Sequence, residues 1–217
     1  MLQIEKWVLG PVATNTYLVG DSDTNQAVVI DPAWDGKFLA EEIKKRGWQI
    51  NSIWLTHAHF DHFGGLADLL EALEPEKPDG FFVGLHPKGN LLWKVKGGAV
   101  MFGINIKSAP KPDHEFEEGE ILSLGNYKFI VHHTPGHSSG HVIFHCPEEK
   151  LLFSGDLIFR QGIGRTDLLG GSYETLMDSI KTWVLPLPDD TRIFSGHGPE
   201  TTVGAERIGN PFVGSVL

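Results

Sequence analysis

The sequence predicts an α/β protein in which two β-sheets pack together and helices cover their outer faces, a four-layer arrangement. The chain of 217 residues is 41% hydrophobic, which is enough to bury a substantial core. Along it, strands, a helix, another strand and a histidine-rich loop are followed by a second block of similar order. Two such halves bury their apolar faces when their sheets stack and their helices lie outside.

Three hairpins are predicted where β-rich runs flank turn-forming residues. They join Thr14–Val19 to Gln26–Ile30, Ile121–Leu124 to Tyr127–His132, and His141–His145 to Leu151–Phe153. Single apolar runs at Ser52–Leu55 and Arg192–Phe194 are expected to be further strands, each followed by histidines.

Three segments have apolar residues at helical spacing. The first has Asp35 as its N-cap candidate and Gly47 as its stop, and the second ends before Pro75. The third has Ser172 as its N-cap candidate and ends at Pro186. We expect residues 97–119, which are rich in glycine, proline and charge, to form a long irregular loop.

Composition excludes several classes of function. A formal net charge of -10 argues against nucleic acid as a partner, because phosphate backbones require a basic surface. No apolar run has the length of a membrane span, and the first residues lack the pattern of a secretory signal. The single cysteine, Cys146, rules out an internal disulfide. We expect one domain over residues 1–217 and a cytoplasmic location.

The most informative segment is Thr56-His57-Ala58-His59-Phe60-Asp61-His62, in which four potential metal ligands occupy six positions after an apolar β-run. Alternation along extended backbone sends His57 and His59 to the same side. Asp61 and His62 lie at the following turn and are offset enough to serve a second ion. Imidazole and carboxylate groups bind zinc and several other first-row divalent metals.

Three further candidate ligands lie at expected strand ends: His137 in Thr-Pro-Gly-His-Ser, Asp156 in Ser-Gly-Asp, and His197 in Ser-Gly-His-Gly. Their small neighbours allow the backbone to bend close to a buried ion. The sequence therefore predicts a metal centre of five histidines and two aspartates.

With these residues the sequence resembles the metallo-β-lactamase superfamily, whose His-x-His-x-Asp-His signature is present in full. The resemblance covers nearly the whole chain and implies an αββα sandwich with metals in a cleft along one edge of the sheets. It implies two metal positions bridged by Asp156, one held by His57, His59 and His137 and the other by Asp61, His62 and His197.

Details of the signature separate the branches of that superfamily. Asp156 stands where one class of true β-lactamases has cysteine and another has serine, which argues against antibiotic hydrolysis. His59 stands where diiron flavoproteins of this fold have glutamate, which argues against redox diiron chemistry. The short interval between Asp156 and His197 leaves no room for the domain that RNA-processing relatives insert.

The remaining chain resembles short bacterial glyoxalase II-type (hydroxyacylglutathione hydrolase-like) enzymes, which hydrolyse thioesters of glutathione. The resemblance rests on the segments Gly162–Leu168, Gly198–Thr201, Glu206–Arg207 and Asn210–Phe212. Larger glyoxalases have a C-terminal helical domain that contacts glutathione, whereas this sequence stops at Leu217. We therefore expect a small-molecule acyl-thiol or ester substrate and leave open both the thiol carrier and the oligomeric state.

The expected reaction is hydrolysis by a dinuclear centre. Two divalent ions, most simply zinc, with iron or manganese as alternatives, would turn a shared water into hydroxide that attacks a carbonyl. Asp61 and Asp156 would help to hold that water. Candidates for groups that orient the ligands are Thr56, Ser138, Arg165, Asp167 and Ser195, with Arg165 and Asp167 expected as a buried ion pair.

Three other readings stay open. A persulfide dioxygenase-like oxidoreductase shares the signature and a Gly-x-Gly-Arg-Thr-Asp segment, and would hold one Fe(II) through His57, His137 and Asp156. A lactonase would use the hydrolytic mechanism on a different substrate. A metal-binding scaffold without enzymatic activity is the third, and an open centre with so many donors argues against it.

Overall fold

The fold is built on two six-stranded sheets in the part of the chain that the computed structural model describes, residues 1–74 and 77–213. The first sheet contains β1 (Leu2–Leu9), β2 (Thr14–Asp21), β3 (Gln26–Ile30), β4 (Gln49–Trp54), β5 (Phe82–Leu85) and β6 (His114–Glu115) in that order. The later strands are β7 (Ile121–Leu124), β8 (Tyr127–His133), β9 (Val142–Cys146), β10 (Leu151–Gly155), β11 (Ile158–Phe159), β12 (Gly162–Ile163), β13 (Arg192–Ser195) and β14 (Thr201–Thr202). The second sheet has the order β14-β13-β10-β9-β8-β7, and β11 pairs with β12 in a small hairpin.

Both sheets are mixed. In the first, β1 to β3 are antiparallel, whereas β4, β5 and β6 follow in parallel. In the second, β7 to β10 form an antiparallel meander, and β13 adds in parallel to β10. The parallel connections carry helices, because parallel strands need a crossover that is usually helical, and these helices lie on the outer faces. The three predicted hairpins are confirmed.

The helices are α1 (Gly36–Arg46), α2 (Phe60–Phe63), α3 (Leu66–Leu73), α4 (Asn90–Lys94), α5 (Tyr173–Trp183) and α6 (Val203–Gly209). The predicted stop at Gly47 is confirmed, because its φ of 67° ends α1 in the left-handed region that glycine tolerates. Ser172 caps α5 by accepting a hydrogen bond from the backbone of Thr175. Asp35 precedes α1 as expected, but its side chain makes no capping bond. Pro75, the predicted end of the second helix, lies outside the described residues.

Three apolar clusters lie between the four layers and hold them together. One lies between the sheets, where Tyr17 and Trp54 of the first sheet meet Phe129, Phe144 and Phe153 of the second. A second cluster joins the other face of the first sheet to α1 and α3, and a third joins the second sheet to α5 and α6. The predicted sandwich of two inner sheets and outer helices is therefore confirmed.

Two parts of the chain differ from the sequence-based expectation. Strand β1 was not predicted, and its residues are only half-buried because it forms an edge of the first sheet. The segment expected to be one irregular loop contains most of a 3-10 turn, Lys96–Phe102, and the short strand β6. None of the described helices has the length and apolar character needed to cross a membrane.

Candidate metal centre

The histidine-rich segment continues directly from the end of β4 towards α2. His57 and His59 lie in extended backbone beyond the strand, while Asp61 and His62 lie in the single turn of α2. His57 and His62 are completely buried, and His59 is 6% exposed. The predicted offset between an extended pair and a pair at the turn is therefore present.

The other three candidate ligands come from loops at the ends of β8, β10 and β13, all in the second sheet. Glycines next to them are needed for close approach. A Cβ on Gly196 would lie 2.2 Å from Oδ1 of Asp156, and Gly155 has a φ of 47° that turns the chain out of β10. The centre therefore lies at one edge of the sandwich, with ligands contributed by both sheets.

Imidazole nitrogens make up the first ligand group, His57, His59 and His137. Nε2 of His137 lies 2.8 Å from Nδ1 of His59 and 3.2 Å from Nε2 of His57. One nitrogen from each ring can be chosen so that all three lie within 4.8 Å of one another. Three imidazoles at this spacing can share one cation.

The second ligand group, Asp61, His62 and His197, contains a carboxylate. Oδ2 of Asp61 lies 3.5 Å from Nε2 of His62 and 3.3 Å from Nε2 of His197. Asp156 lies between the two groups, with Oδ1 3.4 Å from Nε2 of His62 and Oδ2 3.4 Å from Nε2 of His137. A further set of three, His57, His62 and Asp156, also fits one ion, so the geometry allows more than one way to divide the ligands.

The donors fit divalent metal ions. Nε2 of His59, Nε2 of His62 and Oδ1 of Asp156 are buried and have no hydrogen-bond partner among the described residues. Buried polar atoms of this kind are costly unless something else satisfies them. Imidazole and carboxylate donors that all point at one space are the chemistry that zinc, iron and manganese accept.

Protonation differs between the two groups. Burial lowers the pKa of His57 and His59, that of His59 to about 3. Burial also opposes protonation of His62 and His197, but nearby carboxylates outweigh it, raising the pKa of His62 well above its ordinary value and that of His197 to about 9. The first group is therefore neutral, which is the form that binds metal, while the second holds positive charge that a divalent cation would replace.

Asp31 orients two of the candidate ligands, and the sequence reasoning missed it. Its Oδ2 accepts hydrogen bonds from Nδ1 of His62 at 2.8 Å and from the Thr56 hydroxyl at 2.6 Å. The same hydroxyl lies 3.0 Å from Nδ1 of His57. These contacts direct the Nε2 atoms of both rings towards the centre. Asp31 directly follows strand β3, and this position is the only feature of the local sequence that could have indicated its role.

The start of β2 also supports the centre, which no local pattern indicated. The Thr14 hydroxyl donates a hydrogen bond to Oδ2 of Asp61 at 2.8 Å. Nδ2 of Asn15 donates to the carbonyls of Ser195 and Gly198, on both sides of His197. The first sheet therefore holds the last candidate ligand through side chains of its second strand.

The predicted orienting residues behave differently from one another. Thr56 contacts His57 as expected. The Ser195 hydroxyl donates to the backbone carbonyl of His197 at 2.8 Å rather than to its ring, and the Ser138 hydroxyl has no partner among the described residues. Arg165 holds Nδ1 of His137 at 2.8 Å through its backbone carbonyl.

The ion pair between Arg165 and Asp167 forms, but the expectation that it is buried was wrong. Its side chains are 52% and 67% exposed, because the loop that follows β12 lies at the mouth of the cleft. Two 2.7 Å hydrogen bonds from the guanidinium to the carboxylate close the pair.

A cavity of about 150 Å³ opens onto the candidate ligands His59, Asp61, His137, Asp156 and His197. Its remaining walls are mainly apolar and include Val12, Phe60, Phe102 and Leu168. Larger hollows exist elsewhere on the surface, one of about 560 Å³. Among the described residues, however, groups of three possible metal ligands occur only at the cleft, so chemistry rather than size identifies the site.

Comparison with known proteins agrees with this geometry. The family model of the metallo-beta-lactamase superfamily matches residues 9–197. The chain belongs to the metallo-beta-lactamase superfamily.

Within the superfamily, one relative is the hydroxyacylglutathione hydrolase GloC of Haemophilus influenzae, which is 39% identical over 93% of each chain. The crystal structure of BLEG-1, described as a B3 metallo-beta-lactamase, is 38% identical, with a TM-score of 0.88 over 97% of this chain and 99% of that one. TTHA1623, solved in a di-iron-bound form, is 42% identical, with a TM-score of 0.85 over 96% of this chain and 99% of that one. These relatives support a metal-dependent hydrolase with a small-molecule substrate.

Proposed function

We propose that the protein is a dinuclear metal-dependent hydrolase that cleaves a thioester, with a related ester as the alternative substrate. The observation that carries the proposal is the position of Asp156 between two groups of ligands, with one carboxylate oxygen near each group. This is the position that a bridging ligand would occupy. The 39% identity to a hydroxyacylglutathione hydrolase supports a thioester as the substrate class.

The side chains at the cleft suit hydrolysis of a thioester. Bound divalent ions lower the pKa of a shared water and polarise a carbonyl. Asp61 and Asp156 provide carboxylate oxygens that accept hydrogen bonds from an attacking water, and the Thr14 hydroxyl fixes the orientation of Asp61. A thiolate leaves without being protonated, so the site needs no strong general acid.

The proposal includes two divalent ions, with zinc as the first choice and iron or manganese as competitors. TTHA1623, which is described as di-iron-bound, supports iron as the alternative to zinc at this centre. A single domain and a cytoplasmic location remain part of the same proposal.

The test is hydrolysis by protein that has been stripped of metal and reloaded with zinc, iron or manganese. The substrates are acyl-glutathione, an acyl thioester of N-acetylcysteamine, a lactone and a β-lactam. We expect about two ions per chain and restored cleavage of thioesters. Thioester turnover that survives complete metal removal would refute the proposal, and turnover of the β-lactam alone would transfer the function to the activity named for BLEG-1.

A persulfide assay with and without dioxygen tests the oxidoreductase reading. That reading requires about one iron per chain and consumption of dioxygen. His145→Ala is the matched control in both assays, because His145 lies on β9 away from the candidate ligands.

A further inference from the structure

The cleft has an apolar wall that the metal chemistry does not use. Val12 in the turn before β2, Phe102 at the end of the 3-10 turn and Leu168 in the loop after β12 line the same cavity as the candidate ligands. Val12 and Phe102 are 45% and 46% exposed. Single exposed apolar residues are ordinary, but three from separate loops that meet in one cavity indicate a binding surface.

The position of Phe102 is fixed rather than incidental. The centroid of its ring lies 5.5 Å from that of the buried Phe60 ring, at the start of α2. Earlier in the same turn, Gly97 has a φ of 62°, and a Cβ there would lie 2.2 Å from the Phe60 backbone nitrogen. The turn therefore packs directly against α2 and holds Phe102 at the mouth of the cavity.

Charge at the wall disfavours an anionic group. Arg165 is the one arginine or lysine among the described residues that line the cavity, and two of its three guanidinium nitrogens already donate to Asp167. A carboxylate placed against the apolar wall would lose its water, and the charge of Arg165 is already paired with another carboxylate. A cavity of about 150 Å³ suits a short carbon chain, whereas a larger thiol carrier must extend into solvent.

We propose that Val12, Phe102 and Leu168 bind the acyl group of the substrate and select short, uncharged, apolar acyl chains. This inference rests on the proposed thioesterase function. In the substrate, the carbonyl faces the ligand groups and the acyl carbons lie along the wall.

The experiment uses acetyl, propionyl, butyryl and succinyl thioesters of N-acetylcysteamine, whose thiol part is uncharged, with zinc-loaded protein. We expect kcat/KM to rise about fourfold per methylene up to butyryl. Butyryl should be favoured over succinyl by about tenfold or more. Phe102→Ala and Leu168→Ala should each flatten the series, whereas Val100→Ala should leave it unchanged, because Val100 is 76% exposed outside the cavity lining.

The proposed acyl-binding wall is refuted if kcat/KM does not change with acyl length in the unmodified protein. It is also refuted if Phe102→Ala and Leu168→Ala leave that dependence unchanged. In both cases the thioesterase function still stands. Failure to cleave any thioester removes the proposed function itself. The two failures are therefore distinguishable.

A second inference comes from an independent feature, the buried His141. It immediately precedes β9, and its Nε2 accepts a hydrogen bond from the backbone N–H of Asp156 at 3.0 Å. Because Nε2 is the acceptor, the ring proton lies on Nδ1, which donates to the Thr134 hydroxyl at 2.8 Å. The pairing of β10 with β13 shifts register at Gly155, so the next amide leaves the sheet and bonds to this imidazole instead.

We infer that His141 is a positioning residue that sets the place of the Asp156 carboxylate between the two ligand groups. The ring is wedged close to the turn, since a Cβ on Gly155 would lie 2.8 Å from its Nε2. Removing the acceptor leaves a buried amide without a partner, and the turn must move to satisfy it.

The test measures zinc affinity by competition with a chelator, together with thermal unfolding of the metal-free protein. We expect His141→Leu to weaken zinc binding by about 10- to 100-fold, the range typical of residues that orient a ligand. His141→Gln offers an amide oxygen near the position of Nε2 and should recover most of that loss. His145→Gln is the control, a histidine on the adjoining strand β9, and should bind zinc as the unmodified protein does.

Equal zinc affinity in His141→Leu and the unmodified protein overturns the inference, as does an equal loss in His141→Leu and His141→Gln. If His141→Leu does not fold, Thr134→Val replaces it, because it removes the hydroxyl that fixes the ring. Unchanged affinity in Thr134→Val would then overturn the inference.

Discussion

The two ligand groups of the centre differ in charge and in exposure. The first, His57, His59 and His137, consists of buried imidazoles whose pKa values burial lowers. The second contains Asp61 and His197, and the His197 side chain is 28% exposed. The first group is thus preorganised and neutral, whereas the second, which also contains the buried His62, is open at His197 and carries charge.

This difference implies that the two groups have different roles. Buried neutral donors bind a cation with little rearrangement, so we expect the first group to hold its ion more tightly. The cavity borders members of both groups, but the His197 side chain is the more exposed, so we expect water and substrate to reach the second group more easily. The following predictions test that asymmetry, from the largest expected effect to the smallest.

The largest effect is expected for Asp156→Ala, because this side chain contacts both groups. Zinc affinity should fall by more than about a hundredfold at both positions, beyond the range typical of orienting residues. Metal analysis after dialysis measures the loss. Retention of one tightly bound ion would show that Asp156 contributes to metal binding in only one of the two groups.

His59→Ala and His197→Ala test the groups separately. Each should lower the metal content by about one ion per chain. His59→Ala should weaken zinc binding more, because His59 is only 6% exposed whereas the His197 side chain is 28% exposed, so water replaces a lost imidazole more easily at His197. Titration of the metal-free variants with zinc gives the affinity of the remaining position. Equal losses of zinc affinity in the two variants would contradict the asymmetry.

Asp31→Asn should have a smaller effect, concentrated on the second group. An amide nitrogen in place of one carboxylate oxygen faces a donor, either His62 or Thr56, and so loses a hydrogen bond. We expect zinc affinity to fall by about 10- to 100-fold. The free energy of unfolding should fall by about 1–3 kcal/mol, measured by denaturant titration. Unchanged affinity would limit Asp31 to a structural role.

The smallest effect lies outside the centre, where His86 stacks on His133 with ring centroids 4.0 Å apart. Burial, followed by the charge of His133, lowers the pKa of His86 to about 4. As the pH falls, His86 in the unfolded chain therefore takes up a proton before His86 in the folded protein does. The contribution of His86 to the free energy of unfolding is fully present above pH ~6.5 and is lost as the pH falls through about 4.

His86→Asn keeps an acceptor for the Lys88 backbone N–H, a bond that the His86 ring accepts at 3.3 Å. The difference in unfolding free energy between this variant and the unmodified protein should shrink as pH falls from about 6.5 to 4. Denaturant titrations of metal-free protein at several pH values measure it. A difference that is constant with pH would contradict the assignment.

What the sequence predicted well depends on local chemistry. The hairpins follow from β-rich runs with a turn between them, and Gly47 and Ser172 mark helix ends through backbone and hydroxyl preferences that act within a few residues. The histidine signature could be recognised because four ligand types are adjacent in the chain.

What could not be predicted depends on contacts between distant residues. Asp31 lies 25 residues before Thr56, and Asn15 lies 180 residues before the Ser195 carbonyl that it binds. Neither contact leaves a local pattern. The Ser138 hydroxyl has no hydrogen-bond partner among the described residues, because adjacency to His137 does not determine where a side chain points.

The order of the candidate ligands along the chain also determines when the centre can assemble during synthesis. His57 to His62 emerge from the ribosome with the first sheet, whereas His197 follows only after the second sheet is nearly complete. Thr14 forms its backbone bridge with that same His197. The full set of candidate ligands is consequently present only late in synthesis, and a nascent chain halted after the first sheet would display the histidine-rich segment without His137, Asp156 and His197.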